Sequence, residues 1–383
     1  MSTSSLLPLS FPPPVRGRVD LLIVAGEHSG DEHAARVVRE LRKSHPELAV
    51  AALGGPRLAE AGAQLLYDLT ASSVVGIVEV LRNYSFFRDL FNETLRWLRE
   101  YRPRAVCFVD YPGFNLRLAA ALREQGLSVK GGGTIRTLYY ISPQVWAWKA
   151  GRRFAMARDL DAMAVIFPFE VECYADTTLP AEFVGHPFVA PGYAAPVRHD
   201  RSGPVLLLPG SRRQAVTRIF PVLLKGFLAS GEREAVVLYP SDNIRAVLEA
   251  ARPPPNVRLM KTGASSVAAS AVLTSSGTMS MHCALAGIPG AIAYRAHPLT
   301  YLLGRCLVKV PYLGIANLLL DEPMYPEYIQ GAATPAALAA EVKAGVHDAA
   351  RQARTAEQAA RLRALVSVAA GGTAAEWLVR RIT

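Results

Sequence analysis

The sequence predicts an α/β protein built from two doubly wound, Rossmann-like domains, and three observations carry that prediction. Short apolar, β-branched runs alternate with longer amphipathic stretches along the chain, the rhythm of βαβ units. The short runs have too few polar positions for a half-exposed sheet, so they read as strands buried on both faces of parallel sheets. A Pro/Gly-rich stretch at 188–204 interrupts the rhythm, which then restarts, as an interdomain linker would make it do.

Taken in order, strands are expected at 19–25, 49–53, 105–109, 137–141 and 162–167, and after the linker at 205–208, 235–239, 257–260, 271–274 and 291–294. Residues 1–18, broken by Pro8 and Pro12-Pro13-Pro14, lack the basic start and long apolar core of a signal peptide and read as a disordered leader. The domains are therefore set at 19–190 and 200–350, with helices over 351–383. Thr334-Pro335 reads as a helix N-cap and first-turn proline. One helix is expected to run toward Lys343 and another over 354–368, with Gly371-Gly372 setting off a last segment through Trp377. Two doubly wound domains would place a ligand cleft between them, at the carboxyl ends of the strands.

Composition narrows the function. A chain of 383 residues that is 51% hydrophobic and 19% charged can bury a large core. Lys and Arg outnumber Asp and Glu 42 to 32, and the net charge of +10 is spread without a long basic tract. That argues against nucleic acid and for an anionic substrate or membrane surface. Four cysteines, Cys107, Cys173, Cys283 and Cys306, form no C-x-x-C pair, so neither a zinc ribbon nor a disulfide scaffold is expected. No apolar run reaches the ~18 residues of a spanning helix. The placement expected is cytoplasmic.

Six segments could carry chemistry. The first strand runs into Ala25-Gly26-Glu27-His28-Ser29-Gly30-Asp31, where glycines allow a tight turn, Ser29 or Asp31 can cap a helix, and free amides can meet an anion or sugar hydroxyl. It is not G-x-G-x-x-G, so it lacks the dinucleotide fingerprint. The third strand ends at Asp110, where a carboxylate could take a proton from an attacking hydroxyl or simply form a turn. Next, 139–148 packs Tyr, Gln144, Trp146 and Trp148 beside Lys149, Arg152 and Arg153, a composition suited to a ring-and-phosphate ligand or to an apolar wall. In the second half Gly210-Ser211-Arg212 and Ser276-Gly277-Thr278 each join a strand to a helix. Each could be plain capping, but two such openings in one domain favour a nucleotide diphosphate. Neither has the G-K-[ST] ending of a Walker loop. Finally, 76–101 reads as a broad aromatic helix with interleaved arginines, either core-facing or a lipid contact near its first half.

In order, these segments resemble the lipid-A-disaccharide synthase family of glycosyltransferases. The resemblance is carried by Ala25-Gly26-Glu27 with Ser29-Gly30-Asp31, Gly54-Gly55-Pro56, Gly76-Ile77-Val78-Glu79-Val80, Asp110 with Phe114-Asn115, Ser142-Pro143-Gln144-Val145-Trp146-Ala147-Trp148, Pro168-Phe169-Glu170 and Gly185-His186-Pro187. The second half adds Leu208-Pro209-Gly210-Ser211-Arg212, Ser276-Gly277-Thr278, Tyr294, Asn317-Leu318-Leu319, Pro326-Glu327 and Gln330. The resemblance implies a GT-B fold, with two domains facing across a cleft and C-terminal helices returning to the first. It also implies an inverting transfer without metal or cofactor, from UDP-2,3-diacylglucosamine to 2,3-diacylglucosamine 1-phosphate (lipid X). The product would be the β-1,6 disaccharide phosphate, made at the inner-membrane surface by an enzyme that could be an oligomer.

By the same resemblance Asp110 is the base. Gly210, Ser211, Arg212, Ser276, Gly277, Thr278, His282, Asn317, Glu327 and Gln330 bind the nucleotide sugar, and Gly26, Glu27, Ser29, Gly30, Asp31 and Gln144 line the acceptor side. The chain departs from the family at three acids, with Gly113, Ala215 and His282 in their places. On this reading H282E is expected to tighten UDP binding. A non-catalytic or altered-donor relative that binds lipid or UDP-sugar, and a UDP-sugar epimerase, are the alternatives.

Overall fold

The computed structural model describes residues 9–72, 84–263, 265–297, 301, 310–367 and 372–382. These fall into two units, one running to Pro187 and including the residues after Ser367, the other spanning Phe188–Ser367.

In the first unit the apolar runs become strands β1 Leu21–Ala25, β2 Val50–Gly54, β3 Gln64–Asp68, β4 Ala105–Val109, β5 Arg136–Tyr140, β6 Ala162–Val165 and β7 Ala181–Phe183. They form one parallel sheet in the order β3-β2-β1-β4-β5-β6-β7. Every residue of β1, β2 and β4 is buried, which is why those strands read as unbroken apolar runs. The edge strands β3 and β7 are half-exposed and lack that signal. Two strands end earlier than the sequence suggests. Ile141 turns to φ 66°, which stops β5. The amides of Ile166 and Phe167 donate to the Glu170 carboxylate at 3.2 and 3.1 Å instead of continuing β6.

The second unit holds β9 Val205–Leu208, β10 Ala235–Tyr239, β11 Val257–Lys261, β13 Ala271–Thr274, β14 Gly290–Tyr294 and β15 Glu327–Ile329. Their order is β11-β10-β9-β13-β14-β15, again parallel. A separate pair joins β8 Val197–His199 to β12 Val267–Ala269. In each sheet the strand order reverses beside the first strand of the large sheet, between β1 and β4 and between β9 and β13. Ligands of open α/β sheets gather at such switch points.

Three expectations are corrected or narrowed. The leader is ordered over residues 9–18. Phe11 is buried and its amide donates to Glu93 at 2.6 Å, while the Pro12 and Pro13 carbonyls accept from Trp97 and Gln64 at 2.9 and 2.8 Å. Prolines carry no N–H, so the Pro12–Pro14 run has only carbonyls to satisfy, and the amides that flank it, Phe11 and Val15, donate to Glu93 and Gln64 of the folded unit. Second, helix Tyr84–Tyr101 faces the core, with Leu90, Trp97 and Leu98 fully buried. The core-facing alternative holds over this described length, and the first part of the stretch, 76–83, where the lipid contact was expected, lies outside the described residues. Third, the C-terminal helices divide. Ala349–Val366 packs on helices Thr278–Leu285 and Ile315–Leu320 of the second unit, and Ala374–Ile382 alone packs on His28–Ser44 of the first. There Arg380 pairs with Glu182 at 3.2 Å, and the Arg136 guanidinium donates to the Arg381 carbonyl at 2.6 Å.

Segment 76–80, residues 1–8 and Cys306 lie outside the described residues. Cys107, Cys173 and Cys283 carry free thiols. No helix among the described residues is long and apolar enough to cross a membrane.

Candidate active site

At the switch point of the first sheet, β1 delivers Gly26 and Glu27 while the adjacent β4 delivers Asp110. The backbone there is strained. Asp110 and Tyr111 have φ of 46° and 50°, a conformation non-glycine residues hold only where surroundings enforce it. The enforcers are specific. The Asp110 carbonyl accepts from Tyr139 Oη at 2.6 Å and from Asn115 Nδ2 at 2.7 Å, and its amide donates to Tyr140 at 3.1 Å. Tyr111 in turn lies over Gly26, where an added Cβ would sit 2.2 Å from the ring. Gly26 is thus needed for close approach, whereas at Gly30 an added Cβ would stand 3.6 Å from the Val109 carbonyl, an ordinary contact that does not demand glycine.

The carboxylate held this way is a weakened acid. Burial, and then the charge of Glu27, push Asp110 up to about 6, against a smaller opposing hydrogen bond from the Tyr111 amide. Asp110 lines a cavity of ≈250 Å³ with Ser142, Gln144, Trp148, Arg152 and Glu170. Gln144 and Trp148 are exposed there. Glu170 accepts from Trp146 Nε1 at 3.2 Å, and burial raises it to about 7. The cavity belongs wholly to the first unit.

Not every expected acceptor residue reaches it. Glu27 and Ser29 are exposed, and neither side chain caps the helix. Asp31 is buried, and its oxygens accept from the amides of Gly55, Arg57 and Leu58 at 2.8, 3.0 and 3.2 Å. It caps the short helix Pro56–Glu60 rather than facing a ligand. That contact spans more than twenty residues of sequence, so local pattern could not reveal it.

At the second unit's switch point, Gly210-Ser211-Arg212 leaves β9 and Ser276-Gly277-Thr278 leaves the neighbouring β13. Gly210 has φ 107°, and a Cβ there would stand 3.2 Å from Ser275 Oγ. The two loops therefore touch. Ser211, Arg212, Gly277 and Thr278 are exposed, and Arg212 N-caps helix Arg213–Ser230 without a side-chain bond. The arrangement offers a guanidinium and helix-start amides to an anion.

Three expected nucleotide residues are instead tied into their own scaffold. Glu327 accepts from Leu313, Gly314 and Asn317 Nδ2 at 2.9 Å each. Asn317, fully buried, also bridges both backbone groups of Tyr325. Gln330 holds both polar backbone groups of Ala296. These side chains fix the loop that precedes Ile315–Leu320 against β15.

His282 lies one turn into helix Thr278–Leu285 and is buried. Its ring stacks on Phe188 with centroids 3.8 Å apart, and Tyr193 Oη lies 3.1 Å from Nε2. A carboxylate would not reproduce that stack. Gly113, by contrast, is exposed with nothing within 4 Å of an added Cβ. Ala215 packs against the second unit's core. Among the described residues no group of three His, Cys, Asp or Glu side chains gathers as a metal site.

The family described as lipid-A-disaccharide synthetase matches residues 21–371. A lipid-A-disaccharide synthase from Geobacter sulfurreducens is 37% identical over 339 residues, covering 84% of this chain and 86% of its own. Among solved structures, the glycotransferase of kitacinnamycin aligns with a TM-score of 0.59 at 16% identity, covering 96% of this chain and 100% of its own. A UDP-GlcNAc 2-epimerase from Neisseria meningitidis aligns at 0.55 and 12%, covering 94% and 99%. At such identities the two structures speak for the two-unit GT-B fold alone, whereas the sequence match extends across both strand-end sites. The chain belongs to the lipid-A-disaccharide synthase family of glycosyltransferases, enzymes that join a sugar-nucleotide donor to a lipid acceptor.

Proposed function

We propose that the chain transfers 2,3-diacylglucosamine from its UDP donor to the 6-hydroxyl of 2,3-diacylglucosamine 1-phosphate, with inversion and without a metal. The observation that carries this reading is Asp110, a carboxylate raised to about 6 on the wall of a ring-sized cavity. A base is most effective when its pKa lies near the working pH. The acceptor O6–H bond breaks as O6 joins the anomeric carbon. The proton goes to Asp110, and the anomeric C–O bond releases its electron pair to UDP. Gly210, Ser211, Arg212 and the Ser276–Thr278 helix start meet the charge that grows on UDP. On the acceptor side Gln144 lines the cavity, Gly26 makes room for Tyr111 beside Asp110, and Glu27, Ser29 and Gly30 stand at the neighbouring strand end outside the cavity wall. Asn317, Glu327 and Gln330 support the donor loops, and His282 supports them through its stack.

The net charge of +10 suits anionic, acylated substrates, and the work is assigned to the inner-membrane surface. The test is to incubate the protein with both acylated substrates and identify products by mass spectrometry and NMR. A β-1,6 disaccharide phosphate and stoichiometric UDP, insensitive to EDTA, are expected. No product from the acylated pair, despite UDP binding, would leave a binding-only relative as the better reading.

A further inference from the structure

The cavity beside Asp110 contains a cationic group that the transfer step leaves unused. Arg152 lines that ≈250 Å³ space and opens helix Arg152–Asp159. Its neighbour Arg153 is committed to Asp176, with Nε 2.7 Å and Nη2 2.5 Å from the two carboxylate oxygens. Among the described residues Arg152 has no such partner within ion-pair distance. Its guanidinium carbon lies 5.7 Å from the Trp148 ring centre, and Lys149 Nζ lies 4.6 Å from the same ring. The cavity's second carboxylate, Glu170, is engaged by the Ile166 and Phe167 amides and the Trp146 indole.

Ligand pockets for drug-sized molecules run to roughly 300–1,000 Å³, so this smaller space takes one ring with its substituents rather than a whole lipid. Two cations around an exposed indole, with a proton-accepting carboxylate on the same cavity wall, suit a sugar that brings its own dianion. A guanidinium fork is the side chain best matched to phosphate oxygens.

We propose that Arg152, with Lys149 beside Trp148, binds the phosphate monoester of the acceptor sugar and thereby sets which hydroxyl reaches Asp110. This rests on the acceptor reading above and extends it to a named subsite.

The test pairs a side-chain change with a ligand change. Short-chain 2,3-diacylglucosamine 1-phosphate and the same sugar without phosphate are titrated calorimetrically into the full chain. The wild type is expected to prefer the phosphorylated sugar by about tenfold or more, the R152Q variant by less than about threefold. R152K should recover part of the preference, and R153Q should keep all of it. In turnover, R152Q should raise KM for the phosphorylated acceptor about tenfold while kcat and UDP affinity stay within about threefold. A wild type without preference, or an R152Q protein that keeps it, overturns the proposal. So does an R152Q protein that loses UDP affinity instead, because Arg152 would then serve the donor. A wild type that binds the phosphorylated sugar through Arg152 yet makes no disaccharide would sink the transfer reading and leave this subsite standing.

Discussion

The two units present the same place in the same fold, the carboxyl edge beside a switch point, and equip it in opposite ways. In the first, Asp110 is largely withdrawn from water, held at positive φ by Tyr139 and Asn115, and set on a cavity. In the second, Ser211, Arg212, Gly277 and Thr278 stand exposed on two touching loops. The contrast follows from what each task costs. A proton acceptor must be destabilised as an ion to be a strong base near neutrality, and burial does that. A diphosphate brings its own charge and needs only unpaired donors, which an exposed guanidinium and helix-start amides supply at little cost.

The comparison breaks most sharply at Asp110. D110N should lower turnover by roughly 10²–10⁴-fold, the usual worth of a positioned base, while UDP affinity measured by calorimetry stays unchanged. Near-normal turnover would transfer the base role elsewhere. R212A should do the converse. It should weaken UDP binding by about 1.5–3 kcal/mol, or roughly 10- to 100-fold, with no change in thermal stability, since its side chain caps nothing. Equal UDP affinity would remove Arg212 from the donor site.

Stability should separate the units next. Asp110 titrates higher in the fold than its ordinary 3.8, so the folded state disfavours the ion. The wild type therefore loses stability as pH rises from about 4 to about 6, and the full penalty stands above that. D110N, which mimics the protonated form, should melt like the wild type near pH 4 and above it near pH 8, by at most about 2–3 kcal/mol. Identical melting curves at both pH values would show that burial does not oppose the charge. The smallest effect is expected at His282. Because the ring is stacked on Phe188, H282E should lose about 0.5–1.5 kcal/mol of ring contact and leave UDP binding no tighter. This reverses the expectation drawn from sequence, and tighter UDP binding with an unchanged melting temperature would restore it.

What was legible in the sequence was whatever burial writes locally. Strands covered on both faces, such as β1, β4 and β13, leave unbroken apolar runs. Half-exposed edge strands such as β3 and β15 do not. Asp110 and the Gly-Ser-Arg turn were legible because a polar residue after a buried strand marks the functional edge. Illegible were partnerships made across the fold. Asp31 with the Gly55 amide, Glu327 with Leu313, and Phe11 with Glu93 each pair residues that no periodicity connects. That is why Asp31 read as a ligand contact and 1–18 as disordered. Arg152 stood in a basic cluster with Lys149 and Arg153. Only the Asp176 pair distinguished the committed arginine from its neighbour.

The most direct test is the pH dependence of kcat/KM for acceptor, measured in the wild type and in E27Q. Asp110 acting as base predicts a limb that rises tenfold per pH unit and levels near pH 6. Because the Glu27 charge contributes to that elevation, removing it should move the break downward. A flat profile between pH 5 and 8, or a break near 6 that E27Q leaves in place, would contradict the assignment.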